Sequence, residues 1–152
     1  MDRIVLLLTV LFLTIANVQA QNKAEDSVKA TVNQLFEGMK AGDGAKVRNA
    51  FADSAILQTI VTTKDGKTSV RNQQVAAFAD FVSKQKAGAA DEQISFGTIQ
   101  IDAALAIVWT PYKFYYNGNF SHCGVNSFQL VRLNGEWKIQ YLIDTRRKDG
   151  CE

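Results

Sequence analysis

The dipeptide Asn134-Gly135, which lies between two segments of alternating apolar residues, constrains the fold of this chain more than any other feature. Asn-Gly is the preferred sequence of a two-residue type I′ turn, because both turn positions need a positive φ. The turn predicts an antiparallel hairpin whose strands cover 112–133 and 136–147. One face of the second strand is plainly apolar, so we expect this face to lie on the inner side of a sheet. Its members are Trp137, Ile139, Tyr141 and Ile143.

A regular hairpin around this turn fixes the register of the two strands. Phe128 is then opposite Tyr141, and His122 is opposite Arg147, with all four side chains on the inner face. Asp144 falls on the outer face, so a contact between His122 and Asp144 would need a bulge. A slip of one residue would turn His122 outward and bring Asp144 inward, because successive side chains of a strand alternate between faces.

The first half of the chain has the spacing of helices. Apolar residues recur at every third or fourth position and predict helices over 24–41, 43–51 and 73–86. Between the second and third helices, Ile, Val and Thr dominate 54–63, and a turn sequence follows. This segment predicts a strand and a hairpin into a short strand at 67–71.

After residue 92 the chain has the composition of strands alone. The run 93–101 changes its apolar parity at Gly97, which predicts a bulge there. Residues 103–109 are apolar at nearly every position, as in a central strand that is covered on both faces. With the helices of the first half, these strands predict an α+β fold in which helices pack on an antiparallel sheet.

The first twenty residues have the features of a secretory signal peptide. A short charged start precedes the apolar run 4–13, and Val18-Gln19-Ala20 forms a small-x-small cleavage site before Gln21. We expect a signal peptide at 1–20, a single domain at 21–152, and a periplasmic or secreted protein. A run of ten residues is too short to span a bilayer, so no membrane attachment is expected after cleavage.

Charge and cysteine content exclude several classes of function. The 17 basic and 15 acidic residues leave a net charge of +2, which is too small for a nucleic-acid-binding surface. Cys123 and Cys151 are not spaced as in a zinc motif, and the single histidine cannot complete a Cys/His cluster. In an exported chain, two cysteines predict a disulfide. We expect no metal and no cofactor.

Nine of the chain's aromatic residues lie between Trp109 and Tyr141, which favours a pocket for a planar organic ligand. His122 has the side chain that titrates nearest neutrality, so it is the candidate acid or base. Arg147 beside it would keep the imidazole neutral and able to bind an acidic or carbonyl group. The alternative is a buried structural histidine. The predicted ligand-binding residues are Trp109, His122, Phe128 and Tyr141, with Trp137 and Arg147 at the margins.

Several segments resemble a known superfamily. Gly135-Glu136-Trp137-Lys138-Ile139 resembles the G-x-W-x-I last strand of the nuclear transport factor 2-like superfamily. Three further segments are similar to its lumazine-binding branch of bacterial exported proteins: Trp109-Thr110-Pro111-Tyr112-Lys113-Phe114, Ser121-His122-Cys123-Gly124-Val125 and Asp144-Thr145-Arg146-Arg147. The resemblance implies a cystatin-like, SnoaL-like cone, in which three helices of the N-terminal half pack on a strongly curved antiparallel sheet around a pocket.

The superfamily contains both enzymes and binding proteins, so three functions stay open. The first is an exported small-molecule-binding protein with a conical aromatic pocket. The second is a cofactor-free lyase or isomerase with His122 as acid or base, and the third is a non-catalytic dimeric accessory module. We expect a homodimer, because Val125, Val131 and Leu142 interrupt the polar outward face of the last strands. The other expected partner is an unidentified small organic ligand.

Overall fold

The computed structural model describes the backbone of residues 2–151 and the side chains of residues 21–151. The predicted signal peptide, residues 1–20, lies outside the described side chains. The helices are α1 (Asp2–Ala41), α2 (Gly44–Ala50) and α3 (Val75–Ser83). The strands are β1 (Phe51–Thr62), β2 (Thr68–Gln73), β3 (Ala90–Ile94), β4 (Ile99–Asp102), β5 (Leu105–Tyr116), β6 (Asn119–Leu133) and β7 (Glu136–Thr145).

The helices form where the apolar spacing predicts them. In α1 the buried residues Val28, Val32 and Leu35 recur at intervals of four and three, so one face of the helix packs against the sheet. The Asp43 carboxylate accepts a 2.8 Å hydrogen bond from the Lys46 backbone N–H and so caps α2. Phe51, assigned to this helix from its apolar character, instead begins β1.

The described strands form one seven-stranded sheet in the order β2-β1-β7-β6-β5-β3, and β4 also pairs with β5. The α+β fold with three helices on a sheet is confirmed. The sheet is mixed, however, because β1 runs parallel to β7 while the other pairs are antiparallel. No turn joins β1 to β7, which are far apart in the sequence, and so no local signal predicts their direction.

The hairpin between β6 and β7 follows the predicted register only near its turn. Leu130 is opposite Ile139, but Phe128 is opposite Leu142, because a bulge in β7 adds one residue. Beyond the bulge every side chain of β7 changes face. Asp144 therefore points inward and is buried, whereas Tyr141 points outward. The predicted pairing of Phe128 with Tyr141 is wrong.

The bulge also displaces the end of the hairpin by one residue. Arg147 is bridged to Cys123 by two backbone hydrogen bonds of 2.9 Å, so its predicted pairing with His122 is wrong. Cys123 and Cys151 form the predicted disulfide, with their Cα atoms 5.8 Å apart. The bridge ties the C-terminal tail to β6.

Both β3 and β4 pair with β5, and the chain around Gly97 interrupts this pairing between them. The Gly97 N–H donates to the Trp109 carbonyl oxygen at 2.9 Å. The expectation that 103–109 is covered on both faces is wrong. Leu105, Ile107 and Trp109 are each at least 40% exposed on the outer face of β5 in this structure.

Candidate functional site

The inner face of the sheet and the helices enclose a cavity of ≈ 330 Å³. Its walls are largely apolar and come from α1, α3 and the sheet. The main apolar lining residues are Phe36, Met39, Leu57, Phe78, Phe114 and Leu142. A cavity of this volume and character is typical of sites for small organic ligands.

A row of polar residues crosses the inner face at one end of this cavity. Its members are cross-strand partners on five adjacent strands, and so their side chains share one face. We call this set the polar row: Thr110, Asn126, Asp144, Thr59 and Arg71. All of them except Thr110 line the cavity. The bulge in β7 is what brings Asp144 into line with the others.

Asp144 is the most extensively bonded member of the polar row. Its Oδ1 accepts a 2.6 Å hydrogen bond from the Thr59 hydroxyl, and its Oδ2 accepts one of 2.8 Å from Arg146 Nε. The Tyr112 hydroxyl donates to the Thr145 carbonyl oxygen at 2.8 Å and lies 3.4 Å from Asp144 Oδ2. Burial and the nearby carboxylates raise the pKa of Tyr112, so the phenol stays protonated.

Glu92 lies beside the polar row on a second line of cross-strand partners, with Phe114 and His122. Its Oε1 accepts a 2.8 Å hydrogen bond from the Asn126 side-chain amide. Burial raises the pKa of Glu92 to about 7, although the Asn126 hydrogen bond opposes the shift. Near neutral pH the Glu92 carboxyl is therefore a proton donor in part of the molecules and an acceptor in the rest.

His122 lines the same cavity, half-buried against aromatic rings. Its ring packs edge-on against Tyr112, with 5.7 Å between centroids, and its Nδ1 is 3.0 Å from the Ser121 hydroxyl. Burial lowers its pKa, and the Arg146 cation lowers it further, so the ring is neutral at pH 7. In the predicted register Arg147 has this electrostatic effect, but in the structure Arg147 donates to the Gly150 carbonyl oxygen.

Of the six predicted site residues, His122 is the one that the structure places in the cavity lining among the described residues. Phe128 is completely buried in the core, and Trp137 is buried there as well. Trp109 is 49% exposed on the outer face of the sheet. Tyr141 lies on the outer face as well, and its hydroxyl donates to Gln58. The contact of His122 with a ligand stays a prediction.

Several polar residues of the cavity lining are not among the predicted site residues: Thr59, Arg71, Glu92, Asn126, Asp144 and Arg146. Asp144 was considered on condition of a bulge, and the structure contains that bulge. Among the described residues, no group of three or more His, Cys, Asp or Glu side chains is arranged to hold a metal ion. The side chains that line the cavity can support proton transfer, hydrogen bonding and ion pairing.

The titration of Glu92 predicts a pH-dependent difference in stability. Between pH 4.5 and 7 the folded protein retains a proton that the unfolded chain has released, so this group makes stability fall as pH rises. Relative to wild type, Glu92→Gln should gain about 3 kcal/mol in unfolding free energy between pH 4.5 and 8. Chemical denaturation of both proteins across this range measures the difference. His122 titrates in both proteins and cancels, so a constant difference would contradict the raised pKa.

The fold belongs to the nuclear transport factor 2-like class, and solved structures with this fold superimpose on the chain. An NTF2-like protein of unknown function from Shewanella baltica OS155 has a TM-score of 0.64 at 15% identity, covering 84% of this chain and 96% of that one. A domain of unknown function with a cystatin-like fold from Nostoc punctiforme PCC 73102 has a TM-score of 0.63 at 16% identity, with coverages of 81% and 76%. These likenesses establish the fold.

Within this class, residues 23–141 match the family model described as "Putative lumazine-binding", and the chain belongs to that family. The match covers most of the chain, including the second half of α1, β3 and four of the five members of the polar row. Asp144 lies beyond its last residue. A search of curated proteins finds no match.

Proposed function

We propose that this protein binds a small organic molecule with a planar apolar body and a polar end, held in the cavity described above. One observation carries the proposal. Glu92, His122, Asp144 and Arg146 converge on one apolar cavity of ≈ 330 Å³, in which the walls suit a ring system and the polar groups suit its heteroatoms. The family description supports it, because lumazine is a planar bicyclic heterocycle with several hydrogen-bonding atoms.

An NMR titration with lumazine as the probe tests this proposal. We expect the amide resonances of Glu92, His122 and Asn126 to shift together as the probe is added. The resonances of Ile107 and Trp109, on the outer face of β5, serve as internal controls and should stay in place. Shifts confined to the outer face, or none at millimolar lumazine, would count against binding of this heterocycle in the cavity.

A second candidate function, a cofactor-free lyase or isomerase, is favoured by the titration of Glu92. A carboxyl with a pKa of about 7 shares the cavity with a neutral imidazole, and such a pair can move a proton within one substrate. Proton exchange at the carbon next to the carbonyl of 2-tetralone in D₂O is a direct probe. Acceleration that is lost in both Glu92→Gln and His122→Ala would establish catalysis, and no acceleration of 2-tetralone exchange would favour binding alone.

We further propose that two copies pair through the outer face of β5, as also expected for an accessory module. Leu142, predicted to lie on the dimer face, instead faces the cavity. The exposed apolar stripe is instead Leu105, Ile107 and Trp109. Their partners on β6 are Val131, Gln129 and Ser127, which carry no charge, so two identical copies meet there without repulsion.

Trp109→Lys should convert the dimer to a monomer, because it places two like charges at the centre of the paired face. Light scattering at 50 µM measures the mass of each protein, and Lys64→Ala, at an exposed turn, is the matched control. A wild-type protein that is monomeric at this concentration would refute the dimer.

Export is proposed on the apolar run 4–13 and the cleavage site before Gln21. The Cys123–Cys151 disulfide is compatible with an oxidising compartment. Within the part of the chain whose side chains are described, no helix is long and apolar enough to cross a membrane. An intact mass beginning at Gln21 is the expected result, and a secreted form that retains residues 1–20 would contradict it.

A further inference from the structure

We propose that the ligand is an anion, a planar ring system bearing a carboxylate, whose acidic group binds between Arg71 and Arg146 at the β2 end of the polar row. This inference rests on the proposed binding function and specifies its chemistry. It follows from the distribution of charge around the cavity, from the donors that remain available, and from the aromatic residues that line the same cavity.

Arg71 supplies the first cation. It is the cross-strand partner of Thr59, and since Thr59 is buried on the inner face, Arg71 is directed toward the same face and lines the cavity. Among the described residues it forms no ion pair. An arginine at a cavity wall without a carboxylate partner is suited to bind an anionic group.

Arg146 supplies the second cation, and it directly follows the last residue of β7. Its Nε donates to Asp144 and its Nη2 lies 3.3 Å from the Thr59 hydroxyl, so both arginines flank Thr59. The Arg146 side chain is still 44% exposed. A guanidinium carries five N–H donors, and the contacts just described use only two of them.

The acidic groups of the cavity do not cancel these two cations. Asp144 contributes one negative charge, and its two oxygens already accept hydrogen bonds from Thr59 and Arg146. Below about pH 7 Glu92 retains its proton, so it adds no charge. The β2 end of the polar row therefore carries a net positive charge, which a monovalent carboxylate would neutralise.

Aromatic rings at the cavity define the remainder of the ligand. Phe78 and Phe81 lie on α3, which directly follows β2, and Phe81 is 51% exposed although it lines the cavity. Phe114 also lines the cavity and packs against His122, with 5.1 Å between ring centroids. Aromatic surface in the same cavity as an arginine that forms no ion pair among the described residues suits a ring that carries its acid group at one edge.

Two probes of nearly equal size and shape, 2-naphthoate and 2-naphthamide, separate the effect of charge from that of the ring. Calorimetric titration of the full chain at pH 6.5 and low salt should give at least tenfold tighter binding of 2-naphthoate. Arg71→Gln should weaken 2-naphthoate at least threefold, and the double variant Arg71→Gln/Arg146→Gln should bind both probes within twofold of each other. Arg132→Gln, an exposed arginine at the β6–β7 turn, removes one positive charge elsewhere and should change neither affinity.

The double variant removes the ion-pair partner of Asp144 and could unfold for that reason. Arg146→Lys is therefore a second variant, because it keeps the positive charge. It should retain most of the preference for 2-naphthoate. Equal binding of the two probes to wild type would overturn the anion assignment while leaving the proposed binding function in place. The same conclusion would follow if Arg132→Gln weakened 2-naphthoate as much as Arg71→Gln does. Failure of wild type to bind either probe would overturn both proposals for planar ligands of this size.

Discussion

Replacing Gly124 with alanine should lower the free energy of unfolding by about 4 kcal/mol or more, the largest effect of any single methyl group that we expect in this protein. A Cβ on Gly124 would overlap the Thr145 carbonyl oxygen and lie 2.8 Å from Tyr112 Cε1. The obstructing atoms are backbone and a rigid ring, so β7 must move away from β6. That movement would break the 2.8 Å hydrogen bond from Tyr112 to Thr145.

Urea denaturation of Gly124→Ala and wild type measures this cost. Asn119→Ala, an exposed position at the start of the same strand, is the control and should change stability by less than about 0.5 kcal/mol. If Gly124→Ala kept the stability of wild type, the close contact between β6 and β7 at this position would be wrong. The geometry of Tyr112 and Asp144 above it would then be wrong as well.

Removing the disulfide should have the second-largest effect, a loss of roughly 3 to 4 kcal/mol by the chain-entropy model. Cys123 and Cys151 are separated by 28 positions, and the bridge fixes the tail that follows Arg146. Cys151→Ala is the better variant, because Cys151 is only half-buried whereas Cys123 is buried in the sheet.

Denaturation of wild type with and without a reductant is the matched control, because the reductant opens the Cys123–Cys151 bond with no change of sequence. Reductant should lower wild-type stability to that of Cys151→Ala and leave the variant unaffected. A shift of less than about 1 kcal/mol in wild type would show that the bridge contributes little to stability.

Helical periodicity and turn chemistry account for the elements that the sequence predicted correctly. The burial of α1 follows from apolar spacing, and the Asn134-Gly135 turn sets the first pairs of β6 and β7. Both signals are local. The parallel pairing of β1 with β7 joins segments that no turn connects, and so the sequence gives no indication of it.

The candidate site was harder to predict because one inserted residue reverses a face. The bulge in β7 lies between two well-patterned segments, and Trp137 and Ile139 alone favoured a regular strand. With the bulge, Asp144 turns toward the cavity and Tyr141 turns away. Glu92 and Arg71 come from short strands with weak alternation, and only tertiary pairing brings them to the same cavity as His122.

The central claim is that the cavity between the helices and the sheet holds a small organic molecule. Native mass spectrometry of the protein purified from its own source, before and after unfolding and refolding, tests it most directly. We predict that the native protein carries an extra mass and that refolding removes it. The refolded protein should then bind 2-naphthoate in competition with the released molecule. A native protein whose mass is always that of the polypeptide alone, and which takes up neither 2-naphthoate nor lumazine, would contradict the claim.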